Sequence, residues 1–366
     1  MYDKAKKIDM LFEVLRTALS LFIAMVLVVI IIFFVSGRPF EALEMLFLGP
    51  FANTRRIGNI IEFAIPLTFT GLGLALIFRA KQINLAVDGG FHGGAMAATL
   101  VGLYLSAPPI VVIVLALLAG TLTGAILGAI PAIIKEKVGA SELVVSLMLN
   151  FVVGFVVLFF LTNVVRSTTA MALQSENLPS YVTLPVIIDG TRVHLGLVFA
   201  LISVVAMSIF LFRTKWGYAL RMTGSNREFA HYSGMPVRKV VVWSQIVGCA
   251  LAGFGGAVEL LGMNTSFRWV TSPGFGFDAI IIAVLAKLNP IMVPVTALFL
   301  AYIRVGADVL NRSGDVPFEI VSVVQATVII LIAATGFLRH LKQKTLEKQT
   351  MLAKLAERDE GGQASC

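Results

Sequence analysis

Apolar residues run along this chain in ten blocks, near 18–36, 57–78, 84–105, 109–134, 141–162, 194–212, 238–262, 276–288, 290–309 and 317–338. A helix that crosses a bilayer needs about 20 mostly apolar residues, so each block is a predicted membrane helix. The eighth is short, and the ninth follows it at Asn289-Pro290. That pattern predicts a broken or incompletely spanning helix. Lys4, Lys6, Lys7 and Arg16 precede an apolar run from Thr17 to Val35. The run is longer than the apolar part of a signal peptide, and no small-x-small cleavage site follows it. It reads as a retained first membrane helix that ends at Ser36-Gly37-Arg38-Pro39.

Composition agrees with the pattern. Of 366 residues, 58% are hydrophobic and 14% charged, against about 45–50% and about 25% in a soluble domain. There is too little polar surface to cover a water-exposed body, which excludes a soluble globule, a disordered chain and a disulfide scaffold. The chain carries 29 Lys and Arg against 21 Asp and Glu, a net charge of +8. Their placement says more than the total. With the N-terminus inside and ten alternating spans, four cations precede the first span. Two follow the second, two the fourth, six the sixth and one the eighth, and six lie in the tail, so 21 of 29 are inside. Cytoplasmic loops of membrane proteins carry such an excess. The expected fold is all-α: a polytopic protein of the cytoplasmic membrane with about ten transmembrane helices and both termini cytoplasmic. Residues 1–338 form the membrane body and 339–366 a cytoplasmic tail.

Two segments outside the blocks stand out. The outer one, about 163–193, is polar and carries Pro179, Pro185 and Asp189-Gly190. The inner one, Arg213 to Lys239, is the largest cytoplasmic loop. Glu142-Leu143-Val144-Val145-Ser146 opens the fifth span, and Glu319-Ile320-Val321-Ser322-Val323 opens the tenth from the other side. Spans two to five and seven to ten would then form an inverted pair, a common transporter design.

Enzyme chemistry finds no support. Cys249 and Cys366 are the two cysteines, so neither a disulfide framework nor a metal-type spacing exists. There is no G-x-x-x-x-G-K-[ST], no H-E-x-x-H and no G-x-S-x-G, and four histidines are scattered. Transport remains. In Arg79 to Ala95, Gly89, Gly90, Gly93 and Gly94 fall within six positions, with Asp88 and His92 among them. A carboxylate inside a membrane is expensive and usually functional. One reading is a broken start to the third helix with polar groups facing a central pathway. The other is a packing seam of small residues, with Asp88 capping a helix or pairing with His92 or Lys81.

The second stretch, Arg221 to Pro236, offers Ser225 or Asn226 as a helix cap, with Gly234 and Pro236 as a stop. It predicts a helix of two or three turns on the cytoplasmic face. The wording Gly217-Tyr218-x-Leu220-Arg221-x-x-Gly224-x-Asn226-x-x-x-Ala230-x-Tyr232-x-Gly234 resembles the coupling loop of ABC importer permeases of the ribose/nucleoside class. So do Leu251-Ala252-Gly253-Phe254-Gly255-Gly256-Ala257, the block from Ala140-Ser141-Glu142 to Met148-Leu149-Asn150, and that from Gly274-Phe275-Gly276-Phe277-Asp278 to Leu288-Asn289-Pro290. Gly49-Pro50-Phe51 and Pro66-Leu67-Thr68 fit the family's early part. The similarity covers about residues 39 to 338 and is greatest to the nucleoside-type permease. One departure stands at the third span, where that type reads roughly Asn-Ile-Gly-x-Glu-Gly-Gln. This chain keeps Asn84 and Gly89 but has Asp88 for the Glu and Gly90 for the Gln.

The resemblance implies the membrane subunit of an ATP-driven importer for nucleosides, without catalytic residue, cofactor or metal. Its implied partners are a second permease (a paralogue or itself), a cytoplasmic ATP-binding subunit and an extracytoplasmic solute-binding protein, and no nucleic acid. Thr223, Gly224, Ser225, Asn226, Glu228, Ala230, Tyr232 and Gly234 would form the ATPase-coupling segment, a short helix over residues 223–235. Asn84, Asp88, Phe91, His92 and Asn150 could supply the hydrogen bonds and aromatic face of a substrate pathway. The alternatives are a permease for ribose or another sugar, a stand-alone secondary transporter or channel, and a membrane scaffold.

Overall fold

The computed structural model describes residues 38–313 together with Val26, Val29, Ile30 and Phe33. The block at 317–338, the tail, the Glu319–Val323 half of the echo and most of the first block lie outside these residues. Within them the chain is helical: α1 (Pro39–Phe47), α2 (Thr54–Arg79), α3 (Ala86–Tyr104), α4 (Pro109–Val138), α5 (Glu142–Asn163), α6 (Gly196–Arg213), α7 (Lys215–Ser225), α8 (Arg227–Tyr232), α9 (Val237–Met263), α10 (Phe275–Leu285) and α11 (Val293–Ser313). Two compact units divide the chain, 46–306 and the two ends, 1–45 with 307–366. In the end unit Phe33 and Phe40 meet edge to face at 5.4 Å, and Arg312 pairs with Asp308 at 2.9 Å. Everything below concerns residues 46–306.

Six helices, α2, α4, α5, α6, α9 and α11, are long and apolar enough to cross a membrane. Two expected spans differ. α3 has 19 residues, but its five glycines, Asp88 and His92 dilute its apolar character. α10 has 11 residues, about 16 Å of helix, roughly half of a bilayer's apolar thickness. The short eighth block is thus a half-helix.

α3, α4 and α9 meet backbone to backbone. A Cβ placed on Gly94 of α3 would lie 2.6 Å from Gly253 Cα in α9, and one on Gly253 would collide with the Gly120 carbonyl of α4. Small residues give membrane helices the close contact that lipid's own apolarity does not otherwise favour. Gly248 brings α9 equally close to Gly73 of α2. The other faces of α4, α5 and α6 stay apolar and exposed, as at Leu118, Leu122, Phe151, Phe155, Leu201 and Val205. Such faces suit an apolar medium.

Candidate functional site

Between α2 and α3 the chain leaves the helix at residues 80–85, which frees backbone groups that must find partners inside the protein. One stripe of α5 supplies them. Glu142 accepts from the Ile83 N–H at 2.6 Å, Ser146 from the Leu85 N–H at 3.0 Å and Asn150 from the Gly89 N–H at 3.0 Å. The Asn150 amide also donates to the Leu85 carbonyl at 2.9 Å. Spacing of four residues stacks these side chains on one helix face. Lys135 of α4 completes the set, pairing with Glu142 at 2.9 Å and donating to Gln82 at 2.5 Å. Asn84 donates to Gln245 of α9 at 2.8 Å, and Gln245 donates to the other Glu142 oxygen at 3.2 Å.

Above this break, residues 264–274 run without helix from the end of α9 to α10. The Thr265 and Phe267 carbonyls accept from the Leu178 and Ser175 N–H groups at 2.7 and 2.9 Å. The His92 ring donates through Nε2 to the Trp269 carbonyl at 3.1 Å and stacks on Phe267. Asp88 then accepts from the Gly276 N–H at 3.1 Å. Asp88 therefore caps α10, a helix remote in sequence, where a carboxylate meets free N–H groups and the positive helix end. The position is deep. Gly90, next to Asp88's turn, packs against Gly124 and the Cys249 carbonyl, near the middles of α4 and α9. Beside it, Arg304 pairs with Asp278 and lies over the Phe275 ring at 5.6 Å.

These contacts place all five expected pathway residues. Asn84, Asp88, Phe91 and His92 are buried and face protein, with the Phe91 ring tilted against those of Trp269 and Phe275. Asn150 spends its amide on the break. None of the five lines either of two described pockets. One, of about 420 Å³, lies between residues 186–192 and 262–268, and the other, of about 590 Å³, lies around α8. The packing seam and the cap are both real, and the cap is on α10, not on His92 or Lys81. Glu142, Ser146 and Gln245 carry the network; the sequence marked Glu142 and Ser146 only as part of an echo and a family block, and did not mark Gln245. The signal for Glu142 and Ser146 was a polar residue every fourth position, Asn150 included, on the otherwise apolar α5.

The loop from Arg213 to Lys239 is built differently from a single helix over 223–235. Thr223, Gly224 and Ser225 close α7, and the short helix is α8, six residues long. Asn226, not Ser225, is its cap, accepting from the Phe229 N–H at 3.0 Å. Gly234 turns the chain out at φ +75°, a conformation that suits glycine. Ala230 is wholly buried against Met222, Met235, Val237 and Val241. It cannot be an outward anchor. Phe229 and Tyr232, 53% and 88% exposed, are the apolar groups α8 presents, with Glu228 beside them. Glu136 of α4 braces the loop from below, bonding Arg227 at 3.1 Å and Arg238 at 3.0 Å.

Residues 56–333 match the family model described as the permease component of the branched-chain amino acid transport system. The chain belongs to this family. The permease is similar to the guanosine ABC transporter permease NupP of Bacillus subtilis, 29% identical over 307 residues, 82% of this chain and 87% of that one. It is also similar to the glucose ABC transporter permease TsgB13 of Haloferax volcanii, 28% identical over 314 residues, 83% of each chain. A third relative is the nucleoside ABC transporter permease NupB of Lactococcus lactis, 26% identical over 310 residues, 81% of this chain and 84% of that one. With six apolar helices of spanning length among the described residues, the permease is a multi-pass protein of the cell membrane and a transport component.

Proposed function

We propose that the permease is the membrane subunit of an ATP-driven nucleoside importer, that a separate cytoplasmic ATPase drives it through α8, and that a second permease subunit and an extracytoplasmic solute-binding protein complete it. The observation that carries the coupling is the build of the loop. A contact that transmits work must be compact and stiff. α8 is capped at Asn226, backed by Ala230, and tied to α4 through Arg227 on Glu136, a carboxylate that also holds Arg238 of α9. Phe229 and Tyr232 then fill a groove on the ATPase, as aromatic anchors do at other interfaces.

The path inward is short. Gly224 at the end of α7 lies hard against the Arg79 carbonyl, and Lys81 donates to the Ser225 carbonyl at 3.4 Å. Displacement of α8 therefore bears on the break between α2 and α3. From there it reaches Asp88 and the start of α10. Two half-built elements meeting in mid-bundle are where a transporter can alternate access. The permease contributes no catalytic group. A sugar is the second reading, because TsgB13 is a glucose permease of similar identity.

The test is a reconstituted complex in which ATPase stimulation is read with guanosine, inosine, glucose and ribose. Stimulation by the nucleosides alone supports the first reading, and by the sugars alone the second. Tyr232→Ala should leave the melting temperature unchanged, since exposed substitutions cost within about 0.5 kcal/mol, yet lower ATPase co-purification and import at least tenfold. Normal import by that variant would remove α8 from the coupling.

A further inference from the structure

Glu62 of α2 and Glu259 of α9 are buried, 2% and 4% exposed, near the ends of these helices that face the outer segment. The antiparallel contact of α2 with α9 brings their carboxyl groups within hydrogen-bond reach of each other. Glu259 Oε2 meets no N–H or O–H donor. Its neighbour is another carboxyl oxygen, and two acceptors attract only when a proton stands between them. We propose that Glu62 and Glu259 form a proton-binding site in which one proton, exchangeable with the outer solution, bridges the two carboxyls and holds α2 against α9.

The surroundings fit one proton and one remaining negative charge. From the outer segment, Arg192 acts on Glu62 by its charge and lines the 420 Å³ pocket that Gly262 also lines. Gly262 lies one turn beyond Glu259. His194 packs against Gly262 and Gly196. It accepts from the Gly196 N–H through Nδ1 at 3.1 Å and stays neutral, because burial pushes its imidazole down to about 4. Arg192 can offset one carboxylate. When the proton leaves for water in the pocket, a second, uncompensated carboxylate appears at the same place. Two like charges sharing a site in a medium of low polarity repel. The contact between α2 and α9 is then released, which makes this part of the permease sensitive to the pH of the side the pocket faces.

The test uses the full-length permease in lipid nanodiscs, with glutamate side-chain carboxyls labelled with carbon-13, and infrared spectra read across pH. A protonated glutamate band should be present at neutral pH and bleach at alkaline pH, with the melting temperature falling in parallel. Glu62→Gln and Glu259→Gln each supply an N–H donor where the proton stood. Each should abolish the band and flatten the melting temperature against pH. The Glu62→Gln/Glu259→Gln double variant serves as the blank if a single variant does not fold. Absence of a labelled protonated band in the wild type overturns the site, as does a band that survives in these variants. Stabilisation by Na⁺ or K⁺ that Glu259→Gln removes would also overturn it, by putting a metal cation in the proton's place. These readouts are independent of the solute carried and of the ATPase.

Discussion

At the break between α2 and α3, Gln82, Asn84, Glu142, Asn150 and Gln245 are drawn into the bundle, and each meets a complementary group. Toward the opposite ends of α2 and α9, Glu62 and Glu259 are also buried but meet each other, and His194 Nε2 nearby has no partner. Both sets contain buried glutamates, Glu142 in the first and Glu62 and Glu259 in the second. What differs is the pairing of donors with acceptors. A satisfied polar network is rigid and fixes one geometry, whereas a pair short of a donor must take one up or be pushed apart. The inner set therefore reads as the device that keeps a broken helix in place, and the outer set as a place that responds to its medium.

The largest effect should come from breaking the satisfied set. Glu142→Leu strands Lys135, the Ile83 N–H and the Gln245 amide together. Glu142 is buried and Lys135 only partly so, so the loss should lie near the lower end of the about 3–5 kcal/mol that removing one partner of a buried ion pair costs, still a large share of the roughly 5–15 kcal/mol that holds a domain folded. The monodisperse fraction on size-exclusion chromatography should fall steeply, and what remains should melt well below the wild type. Glu62→Gln should not do this, since its amide donates where a proton did. If both variants lose the same stability, the distinction between the two regions is wrong.

His194 sharpens the outer half of the comparison. The unfolded chain protonates this ring near pH 6.5, but the folded chain does so only near 4, because burial disfavours the charged form. The folded state thus holds its full advantage above about pH 6.5. It loses that advantage as pH falls between the two values, by about 3 kcal/mol in all. Melting curves should show the loss on acidification. His194→Asn, which keeps an acceptor for the Gly196 N–H, should remove most of the slope between pH 6.5 and 4. A wild-type melting temperature that is flat across that range would mean the ring reaches water.

The division between what sequence showed and what it hid follows the same chemistry. Long apolar blocks announce helices because lipid demands them, so α2, α4, α5, α6, α9 and α11 were legible, and so was the shortness of α10. The glycines of 89–94 were legible as unusual, but whether they lined a pathway or a seam depended on what α4 and α9 placed opposite. Ala230 illustrates the limit: a small residue in a short amphipathic helix can face a partner or its own protein, and here Met222 and Val241 lie over it. The α5 stripe was visible as Glu142, Ser146 and Asn150, but its purpose is to bond backbone 59 to 65 residues away in sequence. The Glu62 and Glu259 pair joins residues nearly two hundred positions apart, and nothing local marks either.

The smallest effect concerns Asp88, the residue whose sequence position invites the boldest reading. A carboxylate in mid-bundle suggests contact with a passing solute. The structure gives it another task, accepting the Gly276 N–H at the start of a half-helix. Asparagine keeps that acceptor and the side-chain length, and asparagine and aspartate cap helices about equally well. What Asp88→Asn removes is the charge, and with it an attraction to the helix end of about 0.3–1 kcal/mol. Against that stands a relief, because the Asp278 carboxylate close by repels Asp88. The two terms oppose, so the melting temperature should move little. Import should stay within about twofold of wild type, since 1.4 kcal/mol is needed for a tenfold change. Asp88→Leu, which removes the acceptor, should cost more in both. Should Asp88→Asn abolish import while the protein melts as before, the charge itself is in the transport path, and the cap is only where that charge rests between cycles.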